Sequence, residues 1–283
     1  MFWEPVADAL LDSLRILPFL FLTYLLMEYI EYNAMGKLTS VIGKFRRSGP
    51  LFGGLTGIVP QCGFSAAASG LFSGGVISIG TLMAVFLSTS DEMLPLFISH
   101  GLPAGRIVTI VIIKVAIAIL SGFAIDGMLV LMKKKRIKTI HEFCEEEDCD
   151  CEDGIFKSAL IHTLKIWGFV LVANIIMNLL LKSAGFLNIS AFITNRAWLA
   201  VPIVCLIGLI PNCAASIVIT ECYINGIISS GAMMAGLLVG CGVGLLVLFR
   251  SNHSLKENVI ITTVLYLAGI FWGFIIEMTG IVL

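Results

Sequence analysis

Between Arg106 and Lys133 the chain runs for 26 residues with only two charged side chains, Lys114 and Asp126. A helix needs about twenty apolar residues to cross the hydrocarbon core of a bilayer. Such runs recur, at about 14–33, 50–73, 76–98 and 104–132, and again at about 160–182, 198–222, 226–249 and 258–282. They are continuous and not alternating, which argues against a porin-like barrel. Lipid offers the backbone no hydrogen-bond partners, so the expected fold is an all-α integral membrane protein. Charged residues make up 13% of the chain, against about 25% in soluble domains. No soluble stretch is long enough for a catalytic domain. The segment "NAMGKLT" fails the phosphate-loop pattern at the residue after Lys37. No cofactor and no nucleic-acid partner are expected.

Two of the apolar runs contain near-identical phrases that suit a helix poorly: "GIVPQCGFSAAASG" from Gly57 and "GLIPNCAAS" from Gly208. Shifting the sequence by 151 residues carries Gly57, Pro60, Cys62, Ser65, Gly75, Ser78, Gly80 and Met83 onto Gly208, Pro211, Cys213, Ser216, Gly226, Ser229, Gly231 and Met234 without a gap. The likeness extends outward: "GFAID" (Gly122 to Asp126) answers "GFIIE" (Gly273 to Glu277), and "ALLDSLRI" answers "ALIHTLKI" one residue out of step. The reading is two homologous membrane repeats, 1–132 and 158–283, joined by a charged linker, 133–157.

Charge places the loops. Lys37, Lys44, Arg46 and Arg47 follow the first run, and Lys133 to Arg136 open the linker. The positive-inside rule puts both in the cytoplasm. Three apolar runs lie between them, and three simple crossings cannot return a chain to one side. The run holding Pro60 is the natural exception, because proline removes a helix donor and clashes with the preceding turn. Each repeat then crosses an odd number of times, and the two are inverted. Inverted repeats with broken or re-entrant helices, here at the Pro-x-Cys motifs, are a secondary-transporter architecture.

The first candidate site follows from those breaks: Pro60, Gln61, Cys62 and Ser65 in one repeat, with Pro211, Asn212, Cys213 and Ser216 in the other. Cys62 and Cys213 are equivalent, and facing thiolates would suit a thiophilic ion. The second is "LSTSDEMLP", where Ser88, Thr89, Ser90, Asp91 and Glu92 stand near the end of an apolar run. These oxygens suit a hard cation or a proton, and ionisable groups at membrane depth by default mark a functional path. The matching "VGCGVG" has no charge, so the site is expected to be asymmetric. Glu221 is a further candidate, Lys114 requires a partner such as a carboxylate, and Asp126 and Glu277 are expected near span ends. In the linker, His141, Cys144, Cys149 and Cys151 lie among eight carboxylates. Their spacing is not that of a zinc finger, so a metal-collecting cytoplasmic loop fits better than a folded site.

The paired Pro-x-Cys motifs and the His/Cys-containing linker make the chain resemble the ten-span heavy-metal exporter family, described variously as arsenic efflux proteins or manganese transporters. The resemblance spans essentially the whole chain. It implies a multi-pass inner-membrane exporter of a metal or metalloid ion, with an arsenite-like or manganese-like cargo. Ten spans would be five per repeat, which agrees with the odd count above. Proton antiport through Asp91 and Glu92 is the expected coupling. Expected partners are membrane lipid, the ion and protons, with further copies of the chain an open alternative. Two other classes stay open: a permease for a small organic solute or anion, and an intramembrane thiol enzyme.

Overall fold

The computed structural model describes residues 48–58, 63–89, 93–131 and 197–280, most positions of 10–25, and a helix over Ile155–Ser183. Among the described residues every regular element is helical. After a helical stretch at 48–56 come α1 (Gly63–Ser73), α2 (Ile79–Ser88), α3 (Met93–Ser99) and α4 (Ala104–Leu131). Beyond α5 (Ile155–Ser183) follow α6 (Ala197–Gly208), α7 (Cys213–Ile224), α8 (Ser230–Val239), α9 (Gly244–Ser251) and α10 (Leu255–Thr279). The starts of α8, α9 and α10 lie 151 residues after those of α2, α3 and α4.

Four stretches among the described residues are long and apolar enough to cross a membrane: Ile79–Ser99, Ala104–Leu131, Ser230–Ser251 and Leu255–Thr279. The chain is thus a multi-pass membrane protein. The first and third each contain an interruption, so α2 with α3 and α8 with α9 are broken spans. Helix α2 ends at Ser88 and α3 begins at Met93, so Ser88 and Thr89 lie within an apolar stretch that runs on to Ser99.

The same local chemistry starts equivalent helices. Gly75 and Gly226 take positive φ (71° and 70°), a turn glycine makes without strain. Three residues later Ser78 and Ser229 cap α2 and α8, accepting from the amides of Thr81 (3.1 Å) and Ala232 (3.2 Å). Carboxylates from the long helices complete each cap. Asp126 Oδ1 accepts from the Gly80 amide at 2.9 Å, and Glu277 Oε2 from the Gly231 amide at 3.2 Å. Asp126 and Glu277 stand in the last turns of α4 and α10, near the span ends as expected.

Each long helix buries one stripe. On α4 it includes Ile110, Lys114, Ala118 and Gly122; on α10 the equivalent Ile261, Leu265, Gly269 and Gly273. Spacings of three and four residues put these side chains on one face. Small residues let the backbones approach: a Cβ on Gly122 would fall 2.6 Å from the Gly80 carbonyl oxygen, and one on Gly273 3.0 Å from that of Gly231. The outer faces expose Val108, Ile112 and Phe123, and Val259, Ile260 and Phe271, side chains that lipid would cover. The span formed by α8 and α9 is the most enclosed of the four.

Contacts across the two parts of the chain are reciprocal. Helix α1 packs on α9, and α7 packs on α3. Described residues of 10–25 and α5, from the stretches that hold "ALLDSLRI" and "ALIHTLKI", share a second core, with Leu20 and Tyr24 buried beside Ala159, Ile166 and Val170. The start of α4 lies beside the end of α10: Leu102 and Arg106 line a cleft of about 480 Å³ together with Ile276, Glu277 and Gly280.

Candidate functional site

The second Pro-x-Cys motif is seen directly. Helix α6 ends at Gly208, and α7 begins at Cys213. Pro211 has no amide to continue a helix. Asn212 takes extended backbone (φ −150°, ψ 141°) and its side-chain oxygen accepts from the Ala214 amide at 2.8 Å, a helix N-cap. Pro, Asn and Cys therefore act in turn as stop, cap and first helical residue. Pro211 is half-buried, while Asn212 and Cys213 are buried. In the first repeat the helix of 48–56 gives way to a turn at Gly57 and Ile58. Pro60, Gln61 and Cys62 lie outside the described residues, as do Ser90, Asp91 and Glu92 and the linker's His141, Cys144, Cys149 and Cys151.

Ser65 and Ser216, the equivalent serines that follow the two motifs, meet the same interruption. Residues 240–243, "GCGV", separate α8 from α9. At one end a Cβ on Gly240 would lie 3.1 Å from Ser216 Oγ. At the other end a Cβ on Gly244 would lie 2.8 Å from Ser65 Cβ and 3.0 Å from Phe86 Cε1. Ser69 Oγ donates to the Gly244 carbonyl at 2.7 Å and also reaches the Ser65 carbonyl at 2.9 Å. Glycine at 244 is thus required by space, and at 240 a side chain would crowd the Ser216 hydroxyl. All three serines are buried.

The interruption after α2 begins one turn beyond Phe86, so it too adjoins this junction. Ser88 is fully buried and donates to the Val85 carbonyl at 3.0 Å. Thr89 Oγ1 donates to the same carbonyl at 2.7 Å, which ends α2 with its hydroxyls turned back on the helix. Lys114 reaches in from α4 and donates its ammonium to the Thr89 carbonyl. One partner of this intramembrane cation is therefore main chain, where side-chain chemistry alone had pointed to a carboxylate.

Glu221 stands apart. It lies two turns along α7 from Cys213, partly exposed, with its Oε1 3.5 Å from His100 Nε2 at the end of α3. The 480 Å³ cleft is bordered by Glu277 but by none of the residues proposed from sequence to bind cargo or metal. Among the described residues no three His, Cys, Asp or Glu side chains gather as a metal site would require. Cys241, a buried cysteine inside the 240–243 interruption, was not singled out from sequence. The signal was there, because the 151-residue offset pairs it with Ser90.

Buried hydroxyls, main-chain carbonyls and a thiol thus lie at the helix interruptions, with the Lys114 ammonium on the Thr89 carbonyl. Broken helices supply the carbonyl and amide ends that ion coordination uses.

Over residues 2–187 the sequence matches the family described as "Putative, 10TM heavy-metal exporter". The chain belongs to that family. Neither a curated protein nor a solved structure matches it. The matched region takes in the first repeat, the linker and α5.

Proposed function

We propose that the chain is a secondary-active exporter of a metal or metalloid ion, built from two repeats inverted in the bilayer, with its cargo site at the helix interruptions. The observation that carries this is that Ser65 and Ser216, 151 residues apart in sequence, border opposite ends of the buried 240–243 interruption. Two equivalent broken segments converging on a third break is the geometry expected of a site between inverted repeats. The reciprocal contacts of α1 with α9 and α7 with α3, and the start of α4 lying beside the end of α10, support the same reading.

In this scheme Pro60, Gln61, Cys62 and Ser65, with Pro211, Asn212, Cys213 and Ser216, frame the cargo. Ser88, Thr89, Ser90, Asp91 and Glu92 add hard oxygens and the carboxylates that exchange protons for the ion. Glu221, beside His100, serves the route to the site and not the site itself. His141, Cys144, Cys149 and Cys151 collect ions on the cytoplasmic face of the inner membrane. Thiols favour a soft cargo such as arsenite, and the carboxylates a hard one such as manganese(II).

Uptake into everted membrane vesicles decides the matter. Arsenite, manganese(II) and zinc(II) are offered with and without an imposed pH gradient. Accumulation of one of them, driven by acid inside and diminished in a Ser65→Ala, Ser216→Ala double variant, is the expected result. Failure of all three to accumulate above vesicles lacking the protein would sink the export reading. Transport of an organic anion instead would favour a permease on the same scaffold.

A further inference from the structure

Lys114 is the anomaly of the core. It is 1% exposed, on a helix whose other buried residues are Ile110, Ile117, Ala118, Ser121 and Gly122. At 1.5 Å per residue it lies about 15 Å along α4 from Ala104, close to half the ~30 Å hydrocarbon thickness. An ammonium there costs several kcal/mol of desolvation, even after its hydrogen bonds are made.

The fold itself does not demand this charge. The equivalent position on α10 is Leu265, fully buried between Ile261 and Gly269 as Lys114 is between Ile110 and Ala118, with Gly273 answering Gly122 a turn further on. Helix α8 also breaks off beside its long helix, and it does so with a leucine at this place. Capping an interrupted helix therefore does not explain Lys114. What distinguishes the first repeat is the chain that follows the lysine's acceptor. Thr89, whose carbonyl takes the ammonium, is followed in sequence by Ser90, Asp91 and Glu92, whereas the second repeat continues with Cys241, Gly242 and Val243. The buried cation and the two carboxylates occur together in one repeat and are both missing from the other.

We propose that Lys114 is a tethered cation: it compensates the charge of the empty site and yields its place when a cargo cation enters. A carrier that exports must return without cargo, and carboxylates stripped of a counter-ion would make that return unfavourable. A lysine fixed at the mouth of the interruption holds the empty and loaded carriers at similar charge. The inference rests on the export reading and specialises it to a cationic cargo. Lys114 is a positioning and charge-setting residue that touches no cargo in the loaded state.

Net efflux and cargo-for-cargo exchange separate this role from others. Purified wild type, K114Q, K114L and K114R are placed in proteoliposomes with radiolabelled manganese(II) or zinc(II). Net efflux into cation-free medium requires the empty return; exchange against unlabelled cation does not. K114Q and K114L are expected to slow net efflux more than about tenfold, since several kcal/mol of uncompensated charge then burden the return. Exchange stays within about twofold of wild type, because the loaded carrier lacks that burden. K114R, which keeps the charge, retains measurable net efflux.

Equal loss of both modes in folded K114Q would show that Lys114 binds the cargo, as in an anion carrier, and would overturn the proposal. Unchanged net efflux would overturn it too while leaving export intact. If neither K114Q nor K114L elutes as a folded protein, the ammonium is structural and the proposal falls. If wild type moves neither cation, the proposal falls together with the cationic form of the export reading.

Discussion

Trp272 on α10 donates its indole N–H to Ser121 Oγ on α4 at 2.9 Å, and the two residues occupy equivalent positions, 151 apart. A residue can touch its own equivalent only where the two parts of a duplicated structure meet at the axis relating them. On the inverted-repeat reading proposed above, Trp272 and Ser121 mark that axis between the two long helices. The bond is polar, partly buried and surrounded by apolar side chains, where a single hydrogen bond is worth about 1 kcal/mol. Ser121→Ala and Trp272→Phe should each lower stability by about that much, and the double variant by less than the sum. A thermal-unfolding cycle in detergent checks this; strict additivity would mean that the pair does not interact.

Orientation of the repeats gives a sharper test. The start of α4 and the end of α10 line one cleft, so inverted repeats place Arg106 and Met278 on one side of the membrane and Val130 and Leu255 on the other. Single cysteines at these four sites, in a cysteine-free background, should react with a membrane-impermeant maleimide in two pairs from opposite faces. Labelling of Arg106→Cys and Leu255→Cys from the same face would instead require parallel repeats.

Some of this architecture was legible in the residues and some was not, for physical reasons. The break before Cys213 could be read because Pro211 lacks a donor and Asn212 is a good cap, both properties of single residues. The break at 240–243 could not. "GCGV" is apolar and short, and glycine inside a membrane helix more often marks packing than an end. Ser88 and Thr89 were recognised as polar at depth near the end of an apolar run, but hydropathy does not show that a helix resumes at Met93. Lys114 called for a partner, and a main-chain carbonyl leaves no trace in sequence. Asp126 and Glu277 were paired by the repeat, yet their acceptor roles lie 46 residues back along the chain, at Gly80 and Gly231. Periodicity carries no information over that separation.

Those two carboxylates should not be equally important. Asp126 accepts twice, from the Gly80 amide at 2.9 Å and from Ser78 Oγ at 2.6 Å, whereas Glu277 accepts from the Gly231 amide at 3.2 Å. Hydrogen bonds to a charged group contribute about 1.5–3 kcal/mol each. Asp126→Ala is therefore expected to lower the unfolding midpoint more than Glu277→Ala, by an amount equivalent to about 1–2 kcal/mol. Equal losses would show that the Ser78 contact contributes nothing.

The closest test of the candidate site is a pair of glycines on exposed and enclosed backbone. A Cβ added at Gly105, in the first turn of α4, meets nothing within 4 Å. Gly105→Ala should be neutral or stabilising by up to about 1 kcal/mol, because alanine restricts the unfolded chain. At Gly244 the same methyl would lie 2.8 Å from Ser65 Cβ and 3.0 Å from Phe86 Cε1, and Ser69 already holds the Gly244 carbonyl. Neither neighbour can withdraw without moving α1 or the end of α2, so Gly244→Ala should cost about 1–3 kcal/mol. It should also cut ion transport more than about tenfold, because displacement of even 1 Å at a positioned site is costly. Thermal midpoints and vesicle uptake measured side by side on the two variants give the contrast. If Gly244→Ala transports as Gly105→Ala does, the junction of α1 with α9 is structural packing, and the cargo site must be sought elsewhere.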